Sequence, residues 1–235
     1  MLQIQDALTS RGAHHMILKI VGNPDLKSII DVAWFELSKI LNTPGNLSQY
    51  LINVFGETEK VLDIKVMITL SIMEEYRGPL IPTPENPSVC FSLPSPEVVI
   101  IKTVKGLIDI HISFHTPKSA NRKEDYIVLL KIVGHELLHM YLDLEFLRKT
   151  FLTISPGMYL VEPSNRLVEI EEAIAEAVSS IIVKNILGNG AVAILSLSKY
   201  ARSYNSHVLN EVISLEKVPR KFLSMLVKNR DVTPC

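Results

Sequence analysis

Between Leu26 and Leu41 the apolar positions Leu26, Ile29, Ile30, Ala33, Trp34, Leu37, Ile40 and Leu41 recur three and four residues apart, which predicts an amphipathic helix. Asn42, Pro44 and Gly45 follow as a stop signal. Two more helical stretches are expected over Leu47–Phe55 and Glu57–Glu75, although β-branched residues between Val61 and Met73 make a strand the competing reading there. From Pro79 to Pro96 six prolines interrupt any regular pattern, each fixing its own φ and restricting the residue before it. The spacing then switches from helical to alternating. Glu97–Val104 and Leu107–Phe114 flank Lys105 and Gly106 as a hairpin, and Ile108, Ile110, Ile112 and Phe114 alternate with Asp109, His111, Ser113 and His115.

A strongly apolar helix is expected from about Glu124 to Leu147, because Lys131 is the one charge between Tyr126 and Gly134. A second runs from about Asn165 to Leu187, with Gly188 as its C-cap. Three shorter helices are expected near Ala191–Tyr204, Ser206–Glu216 and Pro219–Lys228. The fold class this predicts is α+β: a mainly helical region over residues 1–77, a proline-rich connection over 78–96, and a unit of short sheet and helices over 97–235.

Composition narrows the function classes. The 24 Lys and Arg against 25 Asp and Glu leave a net charge of −1, which argues against nucleic acid as a partner. With 47% hydrophobic and 21% charged residues the 235-residue chain is too apolar for disorder. Its longest uncharged stretch, Ile40–Gly56, is interrupted by Asn42, Pro44, Gly45 and Gln49 and falls short of a membrane span, so no membrane partner is expected. Asp6, Arg11, His14, His15 and Lys19 stand where a secretion signal needs an unbroken apolar run, so a cytoplasmic location is expected. Two cysteines, Cys90 and Cys235, form no CxxC pair and no disulfide framework.

The chemistry concentrates at His135-Glu136-Leu137-Leu138-His139, an HExxH pattern inside the apolar helix. Histidines four apart project from one helix face one turn apart, so both imidazoles can reach a single metal ion, while Glu136 borders that face. Burying three ionisable groups in so apolar a helix would cost several kcal/mol without partners, and a metal supplies one. The downstream helix offers Glu169, Glu171, Glu172 and Glu176 among small residues that allow close approach, and a third ligand can come from there. A structural explanation competes: histidines hydrogen-bonded within a core, and glutamates on a solvated face. His111 and His115, four residues apart on a strand, lie too far apart to share an ion and are expected to face solvent.

HELLH preceded by Gly134, with Glu172-Ala173-Ile174-Ala175-Glu176 beginning 33 residues after His139, resembles the gluzincin branch of the zincin metallopeptidases. The resemblance covers about Glu124–Ser180 and the preceding hairpin. It implies one Zn2+ held by His135, His139 and Glu172, Glu136 as the general base, and Glu176 in the place of the residue that supports a ligand histidine. Glu169 and Glu171 remain competitors of Glu172. Tyr204 and His207, and less so Tyr159, have the right chemistry to donate to an oxyanion. The metzincin pattern would need a glycine at 142 and a ligand at 145, where this chain has Leu142 and Glu145. A ferritin-like di-metal site would need a second ExxH, which is missing. The implied function is zinc-dependent hydrolysis of a peptide or protein substrate, which the second hairpin strand could bind along an exposed edge. The alternative is a non-catalytic zinc-binding regulatory or interaction protein on the same scaffold.

Overall fold

Helix α1, Pro24–Leu41, starts two residues before the apolar stripe, with proline in the first turn where its missing N–H costs nothing. It ends at Asn42, whose φ of 55° is the left-handed conformation asparagine tolerates after a helix. Asn46 then caps α2, Leu47–Leu62, its Oδ1 accepting the Gln49 N–H at 3.0 Å. The computed structural model describes residues 3–4, 17–22, 24–62, 65–76, 97–102, 107–117, 123–150, 153, 157–164, 167–191, 218 and 220–234. Of the helices expected near Ala191–Tyr204 and Ser206–Glu216 only Ala191 is among these residues, and the proline-rich stretch and the Lys105-Gly106 turn lie outside them.

The strands are β1 (Gln3–Ile4), β2 (Ile17–Gly22), β3 (Lys65–Tyr76), β4 (Glu97–Lys102), β5 (Leu107–Pro117), β6 (Gly157–Pro163) and β7 (Arg230–Pro234). They form one mixed sheet in the order β1-β2-β3-β5-β4-β6-β7. β2, β3 and β5 pair in parallel, and the β2-to-β3 crossover carries α1 and α2, as parallel neighbours require a long connection. β4 and β5 pair antiparallel, with Glu97 opposite Ser113 and Lys102 opposite Ile108, as the hairpin reading anticipates.

Three expectations change. Residues 65–76 are strand, not the end of a helix: Val66, Ile68 and Leu70 are buried in alternation with less buried Lys65, Met67, Thr69 and Ser71, so period two prevails over the mixed apolar spacing. Helices α1 and α2 make up most of the described residues of 1–77, but the stretch also carries β1, β2 and β3, and its strands join those after the proline-rich stretch in one sheet. Neither hairpin strand is an edge, since β4 lies between β5 and β6, and β5 between β3 and β4; both are occupied by neighbours and cannot take a peptide by backbone pairing.

The buried face of β5 meets α3, Lys123–Thr150, and that of β3 meets α2; α3 in turn packs against α1 and against α4, Val168–Leu187. One hydrophobic cluster joins Trp34 of α1, Phe55 of α2, Ile68 of β3, Ile110 of β5, Leu138 of α3, Ile174 of α4 and Leu226 of α5, Arg220–Lys228. α4 closes at Gly188, whose φ of 82° suits the C-cap expected there. No helix among the described residues is long and apolar enough to cross a membrane.

Candidate metal centre

Lys131, His135, His139 and Asp143 follow one another four residues apart along α3, so they drift only about 40° per step and stay on one face. All four are buried. Facing them, α4 presents Glu176, Glu172 and Glu171, and the partners run in opposite chain directions: Lys131 pairs with Glu176, His135 with Glu172, and His139 with Glu171. The two helices therefore pack antiparallel along a polar seam. Small residues make the approach close. A Cβ on Gly134 would lie 3.0 Å from Ile182 Cδ1 and 3.6 Å from Ser179 Cα.

At the centre of the seam His135 Nε2 lies 3.0 Å from Glu172 Oε2, His139 Nε2 lies 3.1 Å from His135 Nε2, and Glu172 Oε1 is 3.4 Å from His139 Nε2. His135, His139 and Glu172 form a group that could hold a metal ion, with ligand atoms all within 4.8 Å of one another. The donor chemistry fits such an ion. Two imidazole nitrogens that face each other at 3.1 Å cannot both donate, whereas a cation accepts both lone pairs and the carboxylate. Beside them Glu136 is buried, and its Oε2 has no hydrogen-bond partner among the described residues.

The outer nitrogens of the two rings face carboxylates. His139 Nδ1 meets Glu171 Oε1 at 2.5 Å. His135 Nδ1 is 3.7 Å from Glu176 Oε2, an ion-pair distance rather than a hydrogen bond. Each of these carboxylates is in turn held by a buried cation. Lys131 Nζ pairs with Glu176 Oε1. Arg230 of β7 donates through Nη1 to Glu171 Oε2 and through Nη2 to Glu171 Oε1, both at 2.6 Å, and its Nε lies 2.7 Å from Asp143 Oδ1.

These contacts set the proton affinities of the metal-free chain. Burial pulls His135 down, but Glu172, Glu176 and the charge of Glu136 outweigh it and carry the ring from 6.5 up to about 9. His139 is likewise lowered by burial and raised further by Glu171. Burial pushes Glu136 above the ordinary carboxylate value against the pull of His139 and His135. Glu171 moves the other way: burial would raise it, yet Arg230 and His139 hold it down to about 2.

Of the residues singled out in the sequence, His135, Glu136, His139, Glu172 and Glu176 come together here. Glu169 is exposed, and Glu171 faces the outer side of His139, so neither competes with Glu172 in this arrangement. Tyr204 and His207 lie outside the described residues. Tyr159 sits half-buried on β6, paired in register with Ile100 of β4 and Pro234 of β7. His111 is 3.0 Å from Asp109 on β5, away from the seam's pairings. Sequence reasoning missed Arg230 and the support role of Glu171, and took Lys131 only as an interruption. The four-residue repeat of Lys131, His135, His139 and Asp143 was the available signal for the seam. No protein-family model, curated protein or solved structure matches this chain.

Proposed function

We propose that the protein is a zinc-dependent peptidase of the gluzincin type, with His135, His139 and Glu172 as ligands and Glu136 as general base. The observation that carries this reading is the convergence of both Nε2 atoms and the Glu172 carboxylate at separations of 3.0, 3.1 and 3.4 Å. Tetrahedral ligands on bonds of about 2.0–2.1 Å stand roughly 3.3 Å apart, so the three separations suit zinc. Two imidazoles and one carboxylate also favour zinc over calcium or magnesium, which prefer oxygen alone. Bound there, zinc supplies Lewis acidity, acidifying water toward neutrality and polarising a peptide carbonyl.

The chain's own groups supply the proton transfers. Glu136 accepts the proton of the attacking water and returns it to the leaving amine. Glu171 keeps the outer nitrogen of His139 protonated by a direct hydrogen bond, and the charge of Glu176 3.7 Å from His135 Nδ1 favours the same tautomer there, leaving the Nε2 lone pairs for the ion. Glu172 is 22% exposed against 5% for His135 and 8% for His139, so substrate approaches from the Glu172 side.

Zinc-loaded protein is expected to cleave casein or a mixed peptide library, to stop on chelation and to recover on zinc addition. His135→Ala is expected to purify with little zinc where the wild type carries one ion. Equal, near-zero zinc in both after exposure to zinc would sink the reading. A fully loaded wild type that cleaves nothing would instead favour a non-catalytic zinc-binding protein.

A further inference from the structure

We infer that Arg230, at the start of the C-terminal strand, is a positioning residue for the metal site: it grips Glu171 so that this carboxylate holds His139 with Nε2 toward the ion. The inference rests on the metal reading above and concerns a residue 59 positions from Glu171 in sequence. Both Glu171 oxygens are taken by the guanidinium at 2.6 Å, and Oε1 is shared with His139 Nδ1 at 2.5 Å. A fork-to-fork pair fixes the plane of the carboxylate as well as its position. Glu171 is thereby kept on the outer side of the ring. Without the fork, rotation of its side chain would break the His139 contact and free a second carboxylate, next in sequence to Glu172, to compete for the ion.

The grip is itself anchored. The Arg230 side chain is 1% exposed, and Asp143 of α3 holds its Nε edge. On the backbone, Arg230 stands in register with Pro163 of β6. The preceding residue is pinned on both sides: Asn229 O accepts the Ser164 N–H at 2.7 Å, and Asn229 Nδ2 donates to Met225 O at 2.9 Å. The guanidinium therefore has a fixed origin, and docking of the last strand and orientation of His139 are one event. Lysine cannot replace it: a single ammonium has no planar fork to bind both Glu171 oxygens while facing Asp143.

The test measures zinc affinity by competition with a chromophoric chelator, together with the imidazole 15N–1H resonances of the zinc-loaded protein. Arg230→Lys keeps the buried charge and is expected to weaken zinc binding 10–100-fold, with faster solvent exchange of the His139 Nδ1 proton. Glu171→Gln removes the grip from the other side, so the inference stays testable if Arg230→Lys fails to fold; its expected loss is of the same size. The double variant is expected to lose little more than either single one. Arg148→Met, which removes a half-exposed arginine of α3 that pairs with Glu145 rather than with the seam, controls for charge alone and is expected to bind zinc as the wild type does. Affinities within twofold of wild type in Arg230→Lys or Glu171→Gln, with the His139 resonance unchanged, would overturn the inference and leave the metal site standing. A wild type that binds no zinc would overturn both.

Discussion

Asp143 and Glu171 share the single positive charge of Arg230, and the sharing is unequal. Glu171 takes the fork, while burial and the negative charge of Glu171 outweigh Arg230 at Asp143 and raise it from 3.8 to about 7. Between those values the folded chain binds a proton that the unfolded chain has lost, so this group makes stability fall as pH rises from about 4 to about 7. Glu171 acts in the opposite sense, its contribution being present above about 4.5 and lost as pH falls toward 2. Asp143→Asn mimics the protonated acid. In urea unfolding of the metal-free protein, its stability relative to wild type is expected to rise between pH 5 and pH 8, by an amount on the order of a few kcal/mol. A difference constant over that range would refute the assignment. At this scale the sequence is legible only where chemistry repeats locally: HELLH offers two candidate ligands and a candidate base, and Glu172 follows by resemblance. Arg230 carries no local mark, because its meaning comes from a partner 59 residues away.

The centre exists because α3 and α4 can approach closely, and Gly134 tests that approach. An alanine there would gain about 1 kcal/mol of helix propensity but bring its Cβ to 3.0 Å from Ile182 Cδ1, the flexible end of a side chain that can yield. Gly134→Ala is expected to stay within about 1 kcal/mol of wild type. Gly134→Val adds branches the seam cannot take without moving a helix, and should cost roughly 1–3 kcal/mol and weaken metal binding. Thermal unfolding and chelator competition on both variants check this; a valine variant as stable and as tightly binding as wild type would contradict close packing. The long helices and the hairpin were legible because their apolar spacing is uniform over many residues. Residues 57–75 were not, since helix and strand periods overlap there, and only burial of Val66, Ile68 and Leu70 on one face decides. β6 and β7 escaped because each is short and sits beside a helix; their partners, not their spacing, make them strands.

Across the whole molecule, helices and strands from both sides of the proline-rich stretch share one hydrophobic cluster, and the candidate metal seam lies between two helices of that cluster. Metal binding should therefore stabilise the entire fold. At free zinc 100 times its dissociation constant the linkage adds about 2.7 kcal/mol. For a chain of this length each kcal/mol moves the midpoint by roughly 2–4 °C, so chelation is expected to lower it by about 5–10 °C. Trp34, the sole tryptophan, is fully buried with its Nε1 donating to Pro44 O at 3.0 Å, and its emission should change at the same temperature as the helical circular dichroism. An unchanged midpoint on chelation would argue against a metal at the seam. Topology was the least legible level, because the parallel pairing of β3 with β5 goes with burial of both strands in the shared hydrophobic cluster rather than with any local pattern. The claim that joins all three scales is that this seam performs hydrolysis, and Glu136→Gln tests it most directly. The amide keeps the size of the side chain and leaves the ligands intact but cannot accept a proton. Peptide hydrolysis by wild type and Glu136→Gln, measured side by side at equal zinc content, is expected to differ by at least about 100-fold. Equal rates in the two proteins would contradict the account.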